Sequence, residues 1–174
     1  KDNPSDYLSY SGLAFIHAQG LIDPLYSGTA EDALAAIKKA KELGPDNKWN
    51  HLALVIIAVS KYIRGDLTAF NSIEKEAKKA QEIDAEAGEA NFILWLVNRF
   101  LKGDRTAADK YYDLAVKVPS KYINPHYLFH YSHSFFGTCE DAAKEAVIAH
   151  SEDPAAWETY VAWEKPDKGD PAEM

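Results

Sequence analysis

With 174 residues, 47% of them apolar, the chain carries enough hydrophobic side chain to bury a core, which excludes a disordered polymer. Its 27 acidic and 19 basic residues give a formal charge of −8, which argues against nucleic acid as a partner. The longest uninterrupted apolar run, Leu52 to Val59, falls far short of the roughly 20 residues that cross a bilayer, so no membrane span is expected, and a single cysteine, Cys139, excludes an internal disulfide.

In chain order, Tyr7 to Gln19 is a hydrophobic helical segment, and after Gly28 the stretch TAEDALAAIKKAKEL, from Thr29, has the alanine, glutamate and lysine content of a good helix. Gly44-Pro45-Asp46 ends it. Trp49 to Arg64 follows, then Gly65 and a second such helix from Asp66 to Ile83. Past Ala87-Gly88 the pattern returns as Ala87 to Lys102, Gly103 and a helix from Asp104. Past Pro119 and Pro125 it returns as His126 to Phe136, Gly137 and a helix from Thr138. Each helix after a glycine opens on Thr or Asp, whose side-chain oxygen accepts from free first-turn N–H groups, and Thr29 with Asp32 or Thr138 with Asp141 makes a box-like pairing. Beyond Pro154, AAWETYVAWE (155–164) reads as an amphipathic helix capping the open end, and 165–174 as a polar, flexible tail.

The dividing glycines Gly28, Gly65, Gly103 and Gly137 are 37, 38 and 34 residues apart, and each is followed twelve residues later by alanine: Ala40, Ala77, Ala115 and Ala149. Alanine also stands at the fifth place in three units (Ala33, Ala108, Ala142), with Phe70 in the other, and proline stands at the seventeenth in two (Pro45, Pro154). Together with KAKELGPDN (39–47), this pattern resembles the second half of a tetratricopeptide repeat, a unit of helix, turn and helix. The resemblance implies an all-α, right-handed superhelix of about four antiparallel helix pairs plus a capping helix. It forms a single domain over 1–164, with units at about 5–46, 47–86, 87–122 and 123–153 and the cap at 154–164.

In such an array the first helix of each unit lines the concave surface, so those helices should report what is bound. Leu52 to Val59, and Phe92 to Val97 with Phe100 and Leu101, are apolar nearly all round. Helices of that kind are either packed by neighbours on every side or line a pocket for an apolar ligand or a partner's helix. The residues singled out for ligand or partner contact are Leu54, Ile57, Lys61, Phe92, Trp95, Arg99, Tyr127, His130 and Tyr131, with a cavity expected between Leu54, Ile57, Trp95, Tyr127 and a histidine face. Lys61, Asn98 and Arg99 would orient an anionic group at its mouth.

That face is His126, His130 and His133, at i, i+4 and i+7 of one helix, in a sector opposite Leu128 and Phe135. If Leu128 and Phe135 face the core, the imidazoles point to solvent and could converge on zinc, copper or nickel. Alignment by the glycine places them instead between the two helices of their pair. The local apolar stripe favours the outward register. Cys139 reads as a small, half-buried residue, because no base and oxyanion site accompany it. No nucleotide, phosphate or acyl-transfer motif is present, so no enzyme activity and no cofactor are expected.

The expected function is a non-catalytic module that binds a protein partner or assembles with itself through apolar first-helix surface. The alternatives are a carrier or sensor of a small apolar ligand, such as an extracytoplasmic transporter accessory protein, and metal binding at the histidine face. Starting at Lys1 rather than methionine leans toward a processed, exported chain.

Overall fold

Helix propensity and breakers translate directly into element ends in the computed structural model, which describes residues 6–22, 27–117 and 124–155. The elements are α1 (Tyr7–Gln19), α2 (Ala30–Leu43), α3 (Lys48–Ile63), a 3₁₀ turn (Leu67–Ala69) leading into α4 (Phe70–Ile83), α5 (Gly88–Leu96) continued by π-helical turns (Val97–Lys102), α6 (Arg105–Lys117), α7 (Pro125–Phe135) and α8 (Cys139–Glu152). Among the described residues there is no strand, and the chain is all-α. From residue 156 on, the expected capping helix and the tail lie outside the described residues.

Three dividing glycines end their helices in the left-handed region, with φ of 99° at Gly65, 71° at Gly103 and 76° at Gly137, a conformation that costs any residue with a Cβ. Gly28 differs. A Cβ there would stand 2.5 Å from both Cα and O of His17, so the glycine is required by the close approach of the chain to α1. The caps differ as well. Thr29 accepts from the Asp32 N–H at 3.1 Å and donates to the Asp32 carboxylate at 2.8 Å, the expected reciprocal pairing. Thr138 makes no such bond to α8, because its hydroxyl donates to the His133 carbonyl and contacts the His133 ring.

The chain divides into two compact units, residues 1–118 and 119–174. In the first, Ala14 and Ala18 of α1, Ala33, Ala36 and Ile37 of α2, and Ala53, Ile56 and Ile57 of α3 form one core cluster. A second joins Val55 and Ala58 of α3 to Ile73 and Ala77 of α4 and to Leu94 and Val97. Helix α3 is therefore packed on both sides: of its apolar run from Leu52 to Val59, only Leu54 and Val59 are left half-buried. Each fully buried leucine or valine, such as Leu52, Val55 or Leu94, is worth about 1.5–3 kcal/mol of transfer free energy. Ala40, Ala77, Ala115 and Ala149, the alanines twelve places after the glycines, are all sealed from solvent.

Helix α5 loses α-helical pitch where its buried Asn98 side chain donates to the Leu94 carbonyl at 2.7 Å. That carbonyl is the one the Asn98 N–H would use in an α-helix, and competition of this kind accounts for a local shift to π spacing.

In the second unit, α7 and α8 form an antiparallel pair about Gly137. Here the outward register fails. His126 and His133 are buried and face α8, as the glycine alignment required. Phe129, between them in sequence, is fully buried too, so a broad face of α7 packs inward and the Leu128 and Phe135 stripe does not by itself define the core side.

Candidate functional site

A cleft of about 330 Å³ opens in the first unit between α2 and α4, with α3 as its floor. Leu54, Ile57 and Lys61 stand at successive turns of α3, so one stripe of that helix runs along the floor. Leu34 of α2 forms one wall, and Thr68, Ser72 and Glu76 the other. Leu34 is 47% exposed, although its neighbour Ala33 is sealed in the core. At the closed end, Asp66 caps the 3₁₀ turn by accepting from the N–H and hydroxyl of Thr68. These bonds from Thr68, together with Ala69 N–H and the charge of Lys61, hold the Asp66 carboxyl below the usual carboxylate range against the opposing effect of desolvation. Two large apolar side chains border the same turn almost fully in solvent, Ile63 and Leu67, 71% and 70% exposed.

Glu76 belongs to the cleft wall and to a buried polar bridge behind it. His51, with a side chain only 3% exposed, places Nδ1 2.7 Å from Glu76 Oε2 and Nε2 3.0 Å from Asp46 Oδ2. Both nitrogens face carboxylate acceptors, and a ring carrying both protons donates to both. Asp46 also receives Asn50 Nδ2 at 3.1 Å and Lys41 Nζ at 3.2 Å. Desolvation opposes its ionisation, but the bonds from Asn50 and Lys41 and the charges of His51 and Lys41 outweigh it, and the carboxyl is held below its ordinary value. Asn47 extends the network to α1 by donating to Ser11 Oγ at 2.9 Å, while the buried Asn50 Oδ1 accepts from no group among the described residues.

The other expected residues do not join this cleft. Phe92 and Trp95 stack with centroids 5.6 Å apart, and Phe100 meets Trp95 edge-on at 5.5 Å. Trp95 is buried, and Phe92 and Arg99 are half-buried. His126, His130 and His133 each bond a different group on or before α8: Glu145 Oε2 at 2.6 Å, the Ala142 carbonyl at 2.9 Å and Thr138 Oγ1 at 2.7 Å. Among the described residues no group of three or more His, Cys, Asp or Glu is placed to hold a metal ion. The side chains of Tyr127 and Tyr131 lie outside the described residues. Of the residues expected to line one cavity, Leu54 and Ile57 line the α2–α3–α4 cleft, and Trp95 is not part of that lining. Cys139, expected to be half-buried, is exposed in the first turn of α8.

No protein family, curated protein or solved structure matches the chain.

Sequence reasoning missed Leu34, Glu76 and His51. Leu34 had a usable signal: a large apolar residue next to the small residue that the repeat reserves for close packing. His51 had another. It lies fourteen residues before Gly65 and Glu76 eleven after, while His126 lies eleven before Gly137 and Glu145 eight after, the same antiparallel register moved by one turn.

Proposed function

We propose that this chain is a non-catalytic binding module of tetratricopeptide-like helix pairs that takes an apolar segment of a protein partner into the cleft between α2 and α4. The observation that carries the reading is the half-exposed Leu34 over the Leu54 and Ile57 floor, with Ile63 and Leu67 exposed beside the 3₁₀ turn that borders the cleft. Large apolar side chains concentrated around one concavity mark surface that is covered in use. Three residues singled out from sequence, Leu54, Ile57 and Lys61, are among its lining.

The test is selection of binders from a displayed library of peptides about four helical turns long, against the intact chain and against Leu34→Glu and Leu67→Glu. Both replaced side chains are exposed, so both variants should retain the parent's helical circular dichroism. Selected peptides should lose at least tenfold in affinity for each variant. Peptides that bind all three proteins equally would remove the cleft from the function.

A further inference from the structure

We infer that α1 pairs two copies of this chain about a two-fold axis close to Gly12, through a face separate from the cleft. Helix α3, apolar along most of its length, has α1 and α2 on one side and α4 and α5 on the other. Helix α1 is equally apolar, but its packing on α2 and α3 uses one side. Ser11, Ala14 and Ala18 turn inward, while on the opposite face Leu8, Leu13 and Ile16 are 52%, 42% and 49% exposed. Apolar helix surface of this kind is covered in use.

Gly12 stands within that face, four residues after Leu8 and four before Ile16. Glycine inside a helix costs stability relative to alanine, and the fold of one chain gives no reason for it: among the described residues a Cβ at Gly12 meets no atom within 4 Å. At Gly28, by contrast, the added carbon would strike the His17 backbone. A missing side chain between two large ones is a notch that lets a second helix cross closely.

The same face of another copy fits that notch. Leu8 and Ile16 are equally far from Gly12, so an antiparallel crossing there sets Leu8 of each copy beside Ile16 of the other, and the contact closes on itself. Charge points the same way. From Tyr7 to Ile22 there is no Asp, Glu, Lys or Arg, so a charged partner finds no counter-charge on this face, and a second copy meets no like charge within the contact. The three aliphatic side chains with Ser9 and Gly12 between them make a patch on the order of 400 Å² per copy, about half of what a stable dimer needs, so the pair should be weak, with a Kd on the order of 100 µM.

Sedimentation equilibrium of the intact chain from about 10 µM to about 1 mM brackets that Kd. Reducing buffer is needed because Cys139 is exposed. The average mass should rise from 19.4 kDa toward twice that value and stop there. Added salt should tighten the pair, because it screens the repulsion between two chains of charge −8. Ile16→Glu should stay monomeric throughout, and Leu34→Glu, altered only at the cleft, should dimerise like the parent. Gly12→Ala should raise the urea midpoint of the dilute monomer while weakening the dimer at least tenfold. A glycine serving one chain alone cannot move the two readings in opposite directions. A parent chain that is monomeric at every concentration overturns the pairing, as does undiminished dimerisation of Ile16→Glu or Gly12→Ala. Mass growing beyond the dimer overturns the two-fold contact in favour of a head-to-tail one.

Discussion

His51 Nδ1 lies 2.7 Å from Glu76 Oε2, tying the buried face of α3 to the wall of the cleft, and the same contact recurs one turn nearer its loop between His126 and Glu145 at 2.6 Å. Breaking such a pair on one side leaves a desolvated group without its partner, which costs more than replacing both sides. His51→Leu should therefore destabilise the first unit by about 2 kcal/mol, because it leaves the mostly buried Glu76 carboxylate with only the Lys79 ammonium, 3.9 Å away. Glu76→Leu should cost about 2 kcal/mol, since the imidazole keeps Asp46. The double variant should lose less than the sum. Urea denaturation of all four proteins gives the coupling energy, and losses that add to within about 0.3 kcal/mol would refute the pair as a unit.

The acid limb of stability has a defined sign. Glu74 accepts from Lys102 at 2.7 Å and from Lys78 at 2.7 Å, and these bonds, Lys102 first, hold its carboxyl below the ordinary value despite desolvation. A carboxyl lowered in the folded chain contributes stability that is present above its ordinary pKa, about 4.5, and is lost as pH falls through the lowered value. Both lysines are substantially exposed, so the contribution is no more than about 1 kcal/mol. Glu74→Gln should cost that much at neutral pH and almost nothing near pH 2, as read from urea midpoints. Asp84, lowered chiefly by its bond from Lys48, gives Asp84→Asn the same sign.

The dividing glycines separate into two kinds of variant. At Gly103 a Cβ meets nothing within 4 Å, so Gly103→Ala pays only for the left-handed backbone, about 1 kcal/mol. At Gly28 the added carbon would overlap the backbone of His17, and relief requires α1 and the chain before α2 to separate. Gly28→Ala should therefore cost at least about 2 kcal/mol and expose the α1–α2 contact to faster amide exchange. Equal losses at the two sites would show that the approach to His17 relaxes freely.

What the sequence made legible follows from which physics is local. Helix ends follow breakers, and α1 spans the expected Tyr7–Gln19, while Gly44-Pro45 ends α2 at Leu43. The alanines five and twelve places after the glycines are core because helices approach closely there, with Ala33 and Ala77 both sealed. The direction of α7 was not legible, since Leu128 and the histidine face both bury part of their surface and a hydrogen-bonded imidazole is at home in a helix interface. Nor was the cleft. Leu54 is an apolar residue like its buried neighbours, and only the separation of α2 from α4, a tertiary property, leaves it half-buried beside Leu34 while Ile57 below it stays in the core. The cap on α8 failed for a similar reason: the Thr138 hydroxyl is used by His133, a partner on another helix.

The plus-twelve alanines give the most direct check on helix spacing. Ala77 sits on α4 within the cluster that holds Val55 and Ala58 of α3 and Leu94 of α5, and it has no exposed surface. Three added carbons at that point find no void, because the side chains around them belong to three different helices. Ala77→Leu should cost about 1–3 kcal/mol by forcing those helices apart, despite leucine's good helix propensity. The exposed Lys75 on the same helix supplies the control, where leucine should change stability by less than about 0.5 kcal/mol. Both values follow from urea denaturation under one set of conditions. A neutral Ala77→Leu would mean that α4 is held to α3 and α5 loosely enough to repack, and that the alanine reflects helix propensity alone.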